Sequence, residues 1–425
     1  MNNELLNKLA NAANRFSSFK IVRALTDGFR FAMPILMLGA IFQLISNGIM
    51  LIGASSQQIA ALASKIAILN NLTFGILGLV FAYGIGYSSG KLNKINPNTT
   101  GITALSLFLV LCKPEFAAID MLNTSFTVNF AKFGANGMTL AIIAGLAAGE
   151  ISTLFITKGW TISGKNLPSF LQNWFEPIIP GFVVLALGWI ITYLLNIDLY
   201  TWISGLLQPI LVVADSLPAM IIFWVVATLI FTLGVHPLAV IGPLFPLLIT
   251  ALAQNAQLAQ AGLEPIVENG FHINNAATVF YWTVIGGTGA TLGLNILMLR
   301  SKLETVKNIG KAAIVPSIFN INEPLIFGAP IVFNPILAIP FVLVGGVVNQ
   351  VIVYLSMSLG LNNIPFNMFF VPVVPIGISG FLANNDWRGI VVTFIILIVD
   401  IAVWYPFFKI YEKQTEEKLK NTENQ

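Results

Sequence analysis

The chain has 425 residues, of which 56% are hydrophobic and only 9% charged. A soluble domain carries about 25% charged residues, so this chain has too little polar surface to cover a water-facing particle, and its mean hydropathy of +0.83 says the same. A net charge of +3 with no long basic tract gives no sign of nucleic-acid binding, and the single cysteine, Cys112, excludes an intramolecular disulfide.

The first thirty residues hold Lys8, Arg15, Lys20, Arg23, Asp27 and Arg30 and no clean apolar core followed by a small-residue cleavage site. They read as a cytoplasmic amphipathic helix rather than a cleaved signal peptide. A membrane-crossing helix needs about 20 mostly apolar residues. The clearest candidates are Phe31 to Ile52, Leu72 to Gly90, Gly137 to Ile156, Ile178 to Leu195, Thr278 to Leu299, Ile331 to Met357 and Ile390 to Phe408, with a shorter one at Gly101 to Leu111. Pro218 to Ala253 is too long for one span and is interrupted at Gly234-Val235-His236-Pro237, where proline removes a backbone donor. It is expected to form two short spans meeting at His236.

Charge orders these spans. Basic residues gather at Lys8 to Arg30, Lys91/Lys94, Lys158/Lys165, Arg300 to Lys311 and Lys409 to Lys420, whereas Ile197 to Leu217 and Gln254 to Asn275 hold no Lys or Arg. The positive-inside tendency places the first group in the cytoplasm and the two loops outside. Lys65, Lys113, Lys132 and Arg388 depart from this pattern.

Two segments do not read as ordinary spans. Ala312 to Pro330 is apolar at both ends and polar in the middle, with Pro316, Pro324 and Pro330; Ile364 to Asn385 carries Pro365, Pro372, Pro375, Gly377 and Gly380. Irregular backbone at membrane depth survives only where protein buries it or it lines a wet cavity. Both are expected to be re-entrant hairpins around a site. The fold class is therefore an all-α polytopic membrane protein with about ten spans, two re-entrant hairpins and both termini inside. Residues 1–217 are plain spans, and 218–425 hold the broken helices and polar hairpins, so the substrate pathway belongs in the second half.

Glu323, in Asn320-Ile321-Asn322-Glu323-Pro324, is an ionisable group at membrane depth, which usually lines a functional cavity. Asn320 and Asn322 supply the donors and acceptors that a polyhydroxylated ligand would meet. The plainer reading is that Glu323 caps the next half-helix or pairs with a lysine such as Lys311. His236 is either a site residue or a neutral imidazole satisfying carbonyls freed by Pro237. His272 reads as an ordinary solvated loop residue. Trp387 either stacks on a sugar ring or anchors at the membrane interface, and Arg388 beside it reads as a partner of Asp386. Phosphate could be met by Lys91, Arg300 or Lys311, but solvated cytoplasmic loops explain those better. There is no G-x-x-x-x-G-K-[ST] loop for ATP and no Cys/His cluster with metal-ligand spacing, so neither a metal nor another cofactor is expected. Gly286-Gly287-Thr288-Gly289 reads as close helix packing.

At these residues the chain resembles a known family, enzyme IIC of the bacterial phosphoenolpyruvate-dependent sugar phosphotransferase system, in its lactose/cellobiose/diacetylchitobiose branch. The resemblance is carried by I-G-G-T-G-A-T-L-G-L and V-P-S-I-F-N-I-N-E-P-L-I-F-G-A-P between Ile285 and Pro330, by G-F-L-A-N-N-D-W-R-G from Gly380, and by W-Y-P-F-F-K-I-Y-E-K from Trp404. Two stretches depart from the usual pattern: Gly234-Val235-His236-Pro237, with Phe231 upstream, replaces G-I-H-G, and Ala383-Asn384-Asn385-Asp386 stands where A-T-G-G-D is common.

The resemblance implies a glucose-superfamily IIC fold in the bacterial inner membrane, with a homodimerising N-terminal half and a C-terminal transport half. It implies import of a disaccharide and its phosphorylation by a phosphocysteine on enzyme IIB, supplied in turn by enzyme IIA. It also implies that Glu323 binds the accepting hydroxyl as a catalytic group, that His236 holds the same end of the sugar, and that Trp387 stacks on it. Asn320, Asn322, Asn384 and Asp386 complete the expected sugar site. The alternative reading is a secondary transporter that releases sugar unmodified. A membrane sensor has no supporting feature.

Overall fold

The computed structural model describes residues 15, 18–53, 57–116, 125–162, 168–233, 242–329, 331–332, 334–368 and 374–423. These are overwhelmingly helical, with one short hairpin, β1 (Glu115–Phe116) and β2 (Phe126–Thr127), paired antiparallel. The chain separates into two compact units, Phe16–Ile210 with Gly242–Thr250, and Leu211–Ile241 with Ala251–Gln425.

The first unit is built from α1 (Lys20–Gly53), α2 (Gln57–Asn71), α3 (Leu77–Leu92), α4 (Pro97–Leu111), α5 (Met138–Thr157), α6 (Ser169–Phe175), α7 (Ile178–Trp189) and most of α8 (Leu199–Ala214). Asn96 starts α4: its side chain accepts from the Asn98 and Thr99 amides, and Pro97 supplies a preset φ at the first position. Small residues let α3, α4 and α5 approach closely, as in membrane bundles. A methyl on Gly86 would strike Ala104, and one on Gly149 would strike Ser89.

The second unit begins with α9 (Leu217–Thr232) and continues through α10 (Phe245–Gln260), whose first residues belong to the other unit. The expected break at Gly234 to Pro237, His236 included, lies outside the described residues. The expected single span from Thr278 to Leu299 is not one helix. A helical turn at Ala276–Thr278 opens into a π-helical turn at Val279–Thr283, the chain then leaves helical geometry, and α11 resumes at Leu292–Leu299. The reason is conformational: Gly286, Gly287 and Gly289 take φ of +81, +99 and +82°, and Ala290 takes +51°. Only glycine visits this region freely.

The first polar hairpin is α12 (Glu304–Ile318), a turn, and α13 (Glu323–Gly328), so its first arm begins earlier than Ala312. Then come α14 (Pro335–Leu343), a π-helical turn at Val344–Val348, and α15 (Asn349–Ser358), which together form one long apolar rod. The second polar segment is described as far as Met368 and from Val374, and ends in α16 (Ile378–Asn384). Last comes α17 (Arg388–Glu423), started by the Asp386 carboxylate accepting the Arg388 amide at 3.0 Å. The core of this unit joins Leu325 and Ile326 of α13, and Ala329 just after it, to Leu294 and Met298 of α11, Phe341 of α14, and Trp404 and Phe408 of α17.

Among the described residues, four helical stretches are long and apolar enough to cross a bilayer: Ala135–Thr157, Phe170–Leu194, Pro335–Ser358 and Arg388–Asn421. Large apolar side chains on them, such as Phe182, Trp189, Ile339 and Ile398, stand exposed, as a lipid-facing surface requires.

Candidate functional site

The polar turn between α12 and α13 is anchored by its own asparagines. Asn320 takes φ of +60°, which asparagine tolerates better than other side-chain-bearing residues. Its Oδ1 accepts from the Gly286 amide at 2.7 Å and its Nδ2 donates to the Phe280 carbonyl at 2.6 Å. Asn322 is buried and donates to the Thr288 carbonyl at 2.8 Å and to Thr291 Oγ1 at 3.0 Å. The glycine loop therefore has a purpose beyond helix packing. A methyl on Gly287 would overlap the Asn322 amide, and one on Gly289 would overlap the Phe341 ring. Two tryptophans fix the same segment: Trp282 Nε1 donates to the Gly389 carbonyl and Trp404 Nε1 to the Ala290 carbonyl, each at 3.1 Å.

The backbone of Glu323 opens α13 directly after this anchored turn. Its side chain lies outside the described residues. Lys311, one candidate partner for it, is held at 3.4 Å from Asn308 Oδ1 and 4.0 Å from Glu304. The second polar segment reaches the first: the Ile376 amide donates to the Ile318 carbonyl at 3.2 Å, and Gly377 follows with φ of +93°. Beside this junction Asn295 of α11 donates to Ser317 Oγ at 2.9 Å.

The expected residues after α16 divide by role. Asn384 is fully buried; its Nδ2 donates to the Asn363 carbonyl and its Oδ1 accepts from the Asp386 amide. Asp386 is buried and pairs with the Arg388 guanidinium at 2.8 Å while accepting the Asn363 amide at 3.0 Å. Burial acts to raise its carboxyl, but hydrogen bonds from the Arg388 side chain and backbone and from Asn363, with the guanidinium charge, outweigh burial and hold it below the usual carboxylate range. Arg388 is thus committed to Asp386, and the two act as a clamp at the head of α17. Trp387 stands between them with 66% of its surface exposed.

His272 is a correction. It is buried, with Nδ1 against Asp215 Oδ2 and Nε2 2.8 Å from Gln254 Oε1. Asp215 Oδ1 also accepts the Asn274 amide at 2.8 Å. Asn255 extends the network, donating to the His272 and Pro365 carbonyls. The composition of the loop suggested solvent; the partners, distant in sequence, could not be read from it. Asp400 is a further polar feature of this unit, the only Asp, Glu, Lys, Arg or His between Arg388 and Lys409. Such a residue in an apolar run is itself a signal.

Comparison with known proteins agrees with this architecture. Residues 26–345 match the family described as Phosphotransferase system, EIIC. The chain is 30% identical to the lichenan permease IIC component of Bacillus subtilis (strain 168), over 97% of this chain and 94% of that one. It is 29% identical to the cellobiose-specific EIIC component of Geobacillus stearothermophilus, over 96% and 94% of the two chains. The crystal structure of the transporter ChbC, the IIC component from the N,N'-diacetylchitobiose-specific phosphotransferase system, superposes with a TM-score of 0.84 at 27% identity, covering 96% of this chain and 98% of that one. The chain belongs to the phosphotransferase system EIIC family and is a membrane-embedded sugar permease component that works with IIA and IIB components.

Proposed function

We propose that this permease imports a disaccharide of the cellobiose, diacetylchitobiose or lactose type and presents it to phosphorylated IIB at the turn between α12 and α13. One observation supports this reading above the others: the polar turns of the two broken segments meet at Ile318 and Ile376, with Asn320 and Asn322 fixing the turn that opens into Glu323. Glu323 orients the accepting hydroxyl and takes its proton as phosphate transfers. His236 holds the same end of the sugar, and Trp387 offers an aromatic face. Asn320 and Asn322 act chiefly by holding the turn, and Asn384 and Asp386 by holding the start of α17 beside Trp387.

The chain crosses the membrane about ten times, with both termini in the cytoplasm, the residues up to about 217 forming a homodimer contact and the rest carrying transport. A cysteine placed at Ala261, in a Cys112→Ser background, is then labelled from outside intact cells by an impermeant reagent, and one at Asn308 is not.

Transport is tested in proteoliposomes holding the purified chain with phosphorylated IIB inside. The expected product is internal sugar phosphate, formed only when phosphorylated IIB is present. Accumulation of unmodified sugar without IIB would make the chain a secondary transporter instead.

A further inference from the structure

Asp400 follows Arg388 by twelve positions on α17. At 1.5 Å per residue this is ~18 Å along the helix, mid-depth in a hydrocarbon layer ~30 Å thick. Its side chain is 0% exposed. The elements packed against α17 are α11, α14, α15, α16 and the two π-helical turns Val279–Thr283 and Val344–Val348. Their only titratable side chains are Tyr281 and Tyr354; none carries Lys, Arg, His, Asp or Glu. Among the described residues no ion pair includes Asp400.

Its polar surroundings are neutral, and Asn349 links it to Thr283. Asn349 Nδ2 lies 3.4 Å from Asp400 Oδ2 and 3.3 Å from the Thr283 carbonyl, both long for hydrogen bonds. Asp400 Oδ1, Asn349 Oδ1 and Thr283 Oγ1 have no hydrogen-bond partner among the described residues. Asn349 and Thr283, like Asp400, are 0% exposed. On the fourth side Gly293 of α11 brings bare backbone against the acid: a methyl there would stand 3.2 Å from Asp400 Cβ.

A bare carboxylate buried without counter-charge is too costly to persist, and buried polar groups in native proteins find partners. One negative oxygen donor among neutral amide, carbonyl and hydroxyl oxygens suits a hard cation of single charge; a divalent ion would want more carboxylates. We propose that Asp400, Asn349 and Thr283 form an exchangeable site for a small monovalent cation, a proton or a sodium ion, inside the second unit. The site is separate from the polar turn, yet Thr283 closes the π-helical turn that leads into the glycine loop on which Asn320 and Asn322 dock.

Infrared difference spectroscopy of the purified chain tests this, reading the carbonyl stretch of a protonated carboxylic acid in choline chloride and in sodium chloride at fixed pH. The wild-type protein is expected to show that band in choline, with isotope-labelled aspartate assigning it to an aspartate and Asp400→Asn abolishing it. If the band persists in sodium the cation is a proton; if it disappears as sodium is added, sodium takes its place, and Thr283→Ala raises the sodium needed about tenfold. If Asp400→Asn does not fold, the aspartate label and the Thr283→Ala titration carry the assignment. Absence of the band in both salts, with no sodium-dependent shift of the unfolding midpoint, would overturn the proposal.

Discussion

The Ile376 amide donates to the Ile318 carbonyl at 3.2 Å, joining the turns of two polar segments that lie far apart in the chain. Each turn is also held from behind. Asn320 and Asn322 tie the first to the glycine loop, and Asn363, Asn384 and Asp386 tie the end of the second to the head of α17.

Gly287 tests the first tie. An alanine there meets both an unfavourable φ of +99° and the Asn322 amide. Gly262→Ala, at φ +82° with nothing within 4 Å, meets the backbone term alone. Each loses about 1–3 kcal/mol from backbone strain, but only Gly287→Ala is expected to weaken sugar binding as well. Thermal unfolding and binding to the purified variants separate the two effects.

The pair formed by buried His272 and half-buried Asp215 predicts coupling. His272→Ala and Asp215→Ala each leave the other partner without its hydrogen bond, so the double variant should lose less than the sum of the two. A coupling of about 0.5–3 kcal/mol is expected in a double-mutant cycle. A solvated loop histidine would give additive, near-zero effects.

Asp386 makes stability depend on acid. Its carboxyl titrates below the usual range when folded and near ~3.9 when unfolded, so its contribution is complete above about pH 4 and is lost as pH falls through the folded value. Asp386→Asn should be less stable at neutral pH and should show a shallower loss on acidification. Unfolding midpoints measured from neutral to strongly acidic pH check both statements.

Much of this was legible in the sequence. Apolar runs mark the long apolar helices, such as Pro335–Ser358 and Arg388–Asn421, and proline with asparagine marks the two broken segments. The glycine loop does pack closely, Gly289 against Phe341 and Gly345, but composition cannot show that the same glycines are also needed for positive φ. The Asn320 and Asn322 contacts show what the loop's shape holds in place. His272 is buried rather than solvated because Asp215 and Gln254 reach it from elsewhere in the chain, which loop composition does not show. The asparagines were recognised as polar groups at depth, but their role of holding backbone follows only from the folded contacts.

Trp387 is exposed between two residues that clamp each other. If it stacks on the sugar, Trp387→Ala weakens binding by about 1–3 kcal/mol, by analogy with aromatic stacking on bases, and Trp387→Phe by less. Equal affinity in the alanine variant and the wild type would return Trp387 to the role of an interface anchor.

The central claim is that Glu323 activates the sugar hydroxyl, and Glu323→Gln tests it most directly. Glutamine keeps the size and can accept a hydrogen bond, but it cannot take a proton. Sugar binding to the folded variant and phosphate transfer from phosphorylated IIB should be measured on the same preparation. The account predicts measurable binding with most of the transfer lost, and loss of both in Glu323→Ala. Near-normal transfer by the glutamine variant would contradict it.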